Sequence, residues 1–404
     1  MMPWESYTHN CFPNVLINKN IEEIQYMAKT YEEINEKIKK GKAVVCTAEE
    51  ILSIVKGKGA KAAARQVDIV TTGTFGAMCS SGAFLNFGQT KPKIRATEMW
   101  INGVEAYCGV AAVDCYIGAT KQRGTDRYGG GHVIQDLVAG NRVHVRARSN
   151  GTDSYPCKEI EKDMSLGEFP DAFLFCPRNG YQNYNCAVNR SSRKIRTYMG
   201  VLQPHMKNAA YSGAGELSPL MNDPYFETIG VGTRIFLGGG IGYVTGPGTQ
   251  HNPAPKRNKK GVPVRPAGTV AVTGDLKSMS SDFLKGAFFT GYGPTLRVGL
   301  GIPIPILNEQ VLEYVCISNE DIVIPVVDYG FDYPNANGNV VAEVTAADIQ
   351  RGTISIDGKE LPCAQLSDLR KARQIADTLK TWILQKQFYI SRPSELLPAN
   401  RGAA

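Results

Sequence analysis

Ten cysteines are the residues of this 404-residue sequence best suited to covalent chemistry; they stand at 11, 46, 79, 108, 115, 157, 176, 186, 316 and 363. They lie far apart, with no CxxC, so zinc-ribbon and ferredoxin spacings are missing and in a reducing compartment they read as thiols. Most read as small buried hydrophobes. Two have distinctive surroundings. Cys79 lies in "TTGTFGAMCSSGAFL" (71–85), after an apolar run and among Gly73, Gly76, Ser80, Ser81 and Gly82. There a loop or helix start would turn backbone N–H groups toward a thiolate, and a small-residue turn after a strand is a usual seat for active groups in α/β folds. Cys157, in "SYPCKEIEKD", is polar on both sides, follows a proline and precedes Lys158. Thiolates are nucleophiles and metal ligands, so two in one site could pass sulfur between them or jointly hold an iron–sulfur cluster. Each also has a plainer reading: a buried small residue for Cys79, an ordinary loop cysteine for Cys157.

Other residues could serve such a site. Arg146, Arg148, Arg178 and Arg190 could grip a substrate carboxylate, because the guanidinium fork fits that group bidentately. The run "IFLGGGIGYVTGPGTQH" (235–251) does not satisfy GxGxxG and no helix signal follows it, so a dinucleotide site is unsupported. Its main-chain N–H groups at Gly239 and Gly240 could approach a carboxylate or sulfur species, with Gln250 and His251 at the exit; a tight β-turn explains the same glycines. His144 alternates within "RVHVRA" as strand surface, His132 follows a glycine run, and neither HxH nor HExxH occurs. Cys108 and Cys115 sit in an apolar segment and read as core, whereas Cys176 and Cys186 flank a polar, aromatic, Arg-containing stretch.

The elements that must position these residues read as mixed α/β, with mixed sheets, helices and Gly-rich loops in a single large catalytic domain. Residues 30–41 predict a helix with Thr30 and Glu33 as a capping box and Gly41 at its exit. A strand at 43–46, a second capping box in "TAEE" (47–50) and a buried strand in "VDIVTTG" give βαβ grammar. Strands recur at "RVHVRA", "AFLFC", "RIFLGGG", "GYVTG", "TVAVTG" and "DIVIPVVDYG", with helices expected around "SDFLKGAF", at 345–350 and from 366 to 388. The last is amphipathic and reads as packing. Residues 252–268, rich in Pro, Lys and Arg, read as a surface loop.

A net charge of +7 over this length favours small anionic substrates and does not call for nucleic acid. The N-terminus has no leader pattern and no apolar run approaches the roughly 18 residues of a membrane helix, so the chain reads as cytoplasmic and membrane-free.

Taken together and in order, "VTTGTFGAMCSSGAFLNFG", "NGVEAYCGVAAVDCYIGAT", "PRNGYQNYNCAVN" and "IFLGGGIGYVTGPGTQH" resemble the homocysteine biosynthesis protein family, whose studied members are L-aspartate semialdehyde sulfurtransferases. The resemblance is to the form without C-terminal CBS domains. It implies an N-terminal extension (1–24), a catalytic domain (25–398) and a tail (399–404). It implies synthesis of L-homocysteine from L-aspartate semialdehyde and a sulfide or persulfide donor, with an external two-electron donor for which a ferredoxin-like small iron–sulfur protein is suited, and it leaves room for a homo-oligomer. The family's two functional cysteines map onto Cys79 and Cys157. Whether they form a persulfide relay or ligate a [4Fe–4S] cluster stays open in the sequence, with Cys115, Cys176 and Cys186 as third ligands to choose from. An iron–sulfur lyase acting on a hydroxy acid or another carbonyl compound, or a non-catalytic sulfur or cluster carrier, would use the same thiols.

Overall fold

The computed structural model describes residues 28–399 except 334 and 336; Cys11 and the whole of the expected N-terminal extension (1–24), like residues 400–404, lie outside the described residues. Helix α1 (Tyr31–Lys39) starts at the expected box: Thr30 Oγ1 accepts from Glu33 N–H, and the Glu33 carboxylate accepts from Thr30 N–H. The second box, Thr47 with Glu50, opens α2 (Ala48–Lys58), followed by α3 (Ala60–Gln66). Strands β1 (Val45–Thr47) and β2 (Ile69–Thr71) flank these helices and pair in parallel, Val45 opposite Ile69, as a βαβ unit requires. β21 (Pro303–Pro305) completes that three-stranded sheet.

The site is built on a nine-stranded sheet. Its path runs β19 (Leu284–Phe289), β20 (Gly293–Gly301), β16 (Arg234–Leu237), β17 (Gly240–Pro247), β18 (Val270–Asp275), β10 (Asp171–Asn179), β4 (Gly82–Asn86) and β7 (Asp114–Gly118), with β3 (Thr74–Ala77) pairing β20 off this path. β20 and β4 are therefore several strands apart, on the order of 20 Å in a flat sheet. Yet β3 and β4 are joined by residues 78–81, where Ser81 N–H donates to Met78 O at 3.0 Å. A hydrogen-bonded turn brings its ends within about 7 Å, so the sheet must curl until β20 and β4 approach. Cys79 sits at that seam. Helix α4 (Gly130–Val138) packs across it, reaching β19, β20 and β4. Glycines permit the contact: a Cβ on Gly131 would meet Thr295 O at 2.2 Å.

"SDFLKGAF" does not form a helix: residues 284–289 are β19, paired in register with β20, Leu284 opposite Val298 and Phe289 opposite Gly293. Local propensity yielded to pairing with a partner that the sequence alone does not reveal.

A six-stranded sheet packs a separate core: β23 (Asn339–Thr345), β22 (Val323–Asp328), β11 (Cys186–Val188), β14 (Ala209–Tyr211), β25 (Lys359–Gln365) and β24 (Thr353–Ile356), with α6 (Ala346–Gln350), whereas α5 (Glu309–Val315) packs against α3 in the main core. A hairpin of β12 (Ile195–Thr197) and β13 (Gly200–Leu202) projects from this region, and β15 (Gly230–Val231) pairs β26 (Glu395–Leu396). A four-stranded sheet, β6 (Val104–Ala106), β5 (Glu98–Ile101), β8 (Val143–Arg148) and β9 (Glu159–Met164), completes the fold. The amphipathic helix α7 (Leu369–Leu384) buries Ala372, Ile375, Ala376, Leu379 and Ile383, as its spacing predicts. It lies so close to the strands leading to Cys79 that a Cβ on Gly73 would stand 2.2 Å from Ala372 O. The small residues before Cys79 thus admit a helix. Mixed α/β architecture is what the sequence implied.

Loop 252–268 forms no helix or strand, but it is not merely solvated. Arg257 is half-buried, lies 4.8 Å over the Tyr225 ring and donates to Gln182 Oε1 and Gly261 O.

Candidate active site

A cavity of about 310 Å³ opens where the curled sheet meets the six-stranded sheet. Its first wall is the turn Met78–Cys79–Ser80, its second the end of β10 with Arg178, and its third the flanks of the six-stranded sheet, with Tyr184, Ser212 and Leu366. Cys79 occupies the corner of a β-turn between two strands, not a helix N-terminus, so helix-dipole stabilisation of a thiolate does not apply here. A hydroxyl approaches its sulfur instead. Thr295 Oγ1, on β20, donates to Cys79 Sγ at 3.4 Å, and Tyr292 lines the same cavity. Ser80 Oγ donates to Arg178 O at 3.0 Å, tying the turn to the strand that carries Arg178.

Among the described residues Arg178 is the one ionised side chain in the lining, which contains no Asp, Glu, Lys or His. The remaining polarity comes from hydroxyls and amides. Tyr181 donates to Gln250 Oε1 at 3.0 Å, and the hydroxyls of Tyr198 and Tyr329 lie 3.0 Å apart. Burial, reinforced by the neighbouring Tyr198, raises the phenols of Tyr184 and Tyr329 well above the ordinary tyrosine range. Burial, together with the nearby Cys79, pushes Tyr292 up to about 12. These groups stay protonated donors at neutral pH.

Of the four arginines singled out in the sequence, Arg178 alone reaches this cavity. Arg146 and Arg148 share Glu159, at 2.7 and 3.2 Å, and Arg190 pairs with Asp357 at 2.8 Å, so these three are already engaged in ion pairs at the surface. Cys157 is not brought to Cys79. It precedes β9 on the four-stranded sheet, half-exposed, with its N–H donating to Lys93 O and its thiol to Glu159 O at 3.4 Å. That sheet docks at the far end of β4: Lys162 of β9 reaches the carbonyl of Phe87, whereas Cys79 precedes Gly82 at the other end. Gly239 and Gly240 also lie elsewhere. Gly238 and Gly239, both at positive φ, form the two-residue turn between β16 and β17, and a Cβ on Gly240 would meet Ser278 Oγ at 2.3 Å. His251 follows Gln250 but turns away, its ring nitrogens 2.8 Å from the carbonyls of Thr269 and Pro398, where it ties two chain segments together.

A [4Fe–4S] cluster does not fit this donor set. Among the described residues Cys79 is the cavity's single thiol, and no group of three His, Cys, Asp or Glu side chains is arranged to hold a metal ion. Cys115, Cys176 and Cys186 are fully buried. Burial holds the Cys115 thiol high and pushes Cys176 up to about 12; Cys186 is raised by its hydrogen bond with Cys363 and by burial.

Sequence reasoning missed the tyrosines and Thr295. Tyr292 sits in "TGYGPT", a hairpin tip where Gly291 and Gly293 both take positive φ, and that pattern of a lone tyrosine between turn glycines was the available signal.

The fold around this cavity matches a family sequence profile, "homocysteine biosynthesis enzyme, sulfur-incorporation", over residues 43–390, and the chain belongs to that family. Among curated relatives it is 47% identical over 371 residues to a Methanosarcina acetivorans protein named L-aspartate semialdehyde sulfurtransferase, covering 91% of this chain and 72% of the relative. It is 48% identical over 386 residues to the Methanocaldococcus jannaschii protein of the same name, covering 91% and 73%. An uncharacterised Methanothermobacter thermautotrophicus protein is 30% identical over 333 residues, covering 80% and 72%. No solved structure matches significantly.

Proposed function

We propose that this chain is an L-aspartate semialdehyde sulfurtransferase that forms L-homocysteine through Cys79. The single observation that carries the catalytic reading is the cavity itself: one thiol, one cation and no carboxylate. A small amino-acid aldehyde brings an electrophilic carbon for sulfur and a carboxylate for Arg178, whose guanidinium forms charge-assisted hydrogen bonds with such a group. Both similar sulfurtransferases carry names for this activity.

Sulfur, as sulfide held beside Cys79 or as the outer atom of a Cys79 persulfide, attacks the aldehyde carbon. The carbonyl electron pair moves to oxygen, which takes a proton, giving a thiohemiacetal. Water then leaves, and two electrons with two protons convert the thioaldehyde-level carbon to the thiol. If the sulfur came from a persulfide, releasing Cys79 consumes a further electron pair. The lining provides no redox group, so the electrons come from outside, and a ferredoxin-like small iron–sulfur protein suits the role in a cytoplasmic setting. Cys157, half-exposed and outside the cavity, suits the task of receiving sulfur from a donor before it reaches Cys79.

The test is anaerobic incubation of the protein with L-aspartate semialdehyde, sulfide and a low-potential reductant, followed by chromatographic detection of homocysteine. Product from the wild type and none from Cys79→Ser is expected; equal product from both would sink the reading.

A further inference from the structure

Sulfur addition to an aldehyde leaves an alkoxide that needs a proton at once, and the cavity offers few sources. It has no His, Asp, Glu or Lys in its lining. The guanidinium of Arg178 suits the role of a fixed charge for the substrate carboxylate. Thr295, which donates to Cys79 Sγ, is an aliphatic alcohol and a far weaker acid than a phenol; of the phenols that line the cavity, Tyr292 is the one that Cys79 perturbs. We infer that Tyr292 is the general acid of carbon–sulfur bond formation, an assignment that rests on the sulfurtransferase reading above. As the C–S bond forms and the carbonyl π bond breaks, the Tyr292 O–H gives its proton to the former carbonyl oxygen. The thiohemiacetal hydroxyl forms, a tyrosinate remains, and no electrons enter or leave. Tyr292 is 44% exposed, so water returns the proton.

The fold holds the phenol there. Tyr292 N–H donates to Phe289 O at 3.0 Å across the β19–β20 hairpin tip, which seats the tyrosine between two glycines in positive-φ conformations. The Tyr198 ring, at the tip of the β12–β13 hairpin, meets Tyr292 edge-on at 6.2 Å, and Tyr198 is itself anchored by Tyr329. Tyr198 is thus a positioning residue. Two hairpins from different sheets meet over the cavity through these rings. Burial and the adjacent sulfur keep Tyr292 protonated at neutral pH, so the phenol has a proton to give.

The experiment compares wild type, Tyr292→Phe and, as a control, Tyr243→Phe, an exposed tyrosine outside the lining. For Tyr292→Phe, kcat should fall by about 10²- to 10⁴-fold, the usual span for loss of a general acid. KM for the aldehyde and the sulfane sulfur carried on Cys79, read by intact-protein mass, should stay near wild type, and raising the concentration of imidazolium buffer should restore part of the rate. Tyr243→Phe should match wild type throughout. A Tyr292→Phe enzyme turning over at the wild-type rate, or one whose defect lies only in sulfur loading or KM, would overturn the assignment while leaving the sulfurtransferase reading intact. A wild-type protein that makes no homocysteine would sink both.

Discussion

The turn that holds Cys79 and the loop that holds Cys157 are similar as strings, each a cysteine beside small or polar residues after a strand, and opposite as environments. Cys79 is locked at the seam of a curled sheet: its turn is closed by a hydrogen bond, helix α7 presses on Gly73, a hydroxyl from β20 meets its sulfur and the β19–β20 tip lines the same cavity. Cys157 lies beside a surface strand whose charges neutralise one another, Glu159 with Arg146 and Arg148, and His144 with Glu161 and Asp163. Its thiol meets only a backbone carbonyl two residues away among the hydrogen bonds of the described residues. A cysteine becomes a site when distant strands converge on it. Local polarity is not enough.

That contrast can be broken most directly by exchanging each sulfur for oxygen. Cys79→Ser should abolish homocysteine formation. Arg178→Gln should raise KM for the semialdehyde about 10- to 100-fold, matching the roughly 1.5–3 kcal/mol of a hydrogen bond to a charged group, with a smaller change in kcat; an unchanged KM would remove Arg178 from substrate binding. Gly73→Ala forces a methyl against the backbone of α7 and should cost about 1–3 kcal/mol in a denaturation experiment, because the carbonyl cannot yield as a flexible side chain would. Gly151→Ala, near Cys157, would press only on the flexible Lys158 side chain, at 3.2 Å, with Pro156 O at an ordinary 3.6 Å, so its cost should be limited to the positive φ of that glycine, about 1 kcal/mol. Similar losses for the two would deny that the Cys79 region is the more rigid.

Cys157→Ser should leave single-turnover transfer from preloaded Cys79 untouched and slow reloading between turnovers, which stopped-flow mixing with a persulfide donor resolves. If the first turnover slows as well, Cys157 acts at the chemical step.

The smallest expected effect separates the two regions by pH. Around Cys79 the raised phenols keep their protons while an unfolded chain loses them near about pH 10. The folded state then binds more protons, so stability is intact below that value and is lost as pH rises toward about 12. On the sheet beside Cys157, Glu159 is lowered by its hydrogen bonds from Arg146 and Arg148, and Glu168, past the other end of β9, is held down to about 2 by hydrogen bonds from Ser165 and by Arg142. Stability from these groups is present above the ordinary carboxylate range and is lost as pH falls through it. Hydrogen exchange should therefore loosen the Tyr292 hairpin first in alkali and β8–β9 first in acid.

Much of the fold was legible locally. Both capping boxes, the βαβ unit and the amphipathic α7 follow from spacings within single segments, and each is where it was expected. Residues 284–289 were misread because a helix-compatible string becomes a strand once β20 offers its edge. Within the site, Cys79 and Arg178 were legible from chemistry plus resemblance. The glycines at 239 and 240 were not, since a tight hairpin and an anion-binding loop use the same residues.

By itself the sequence determined which side chains could act as nucleophile and carboxylate clamp, because thiol and guanidinium chemistry travels with the residue type. Only the tertiary structure decided which members of each set share a space. Cys79, Arg178 and Tyr292 come from three segments whose meeting depends on how far a nine-stranded sheet curls, and curvature is a sum of many strand pairings that no single window of residues contains.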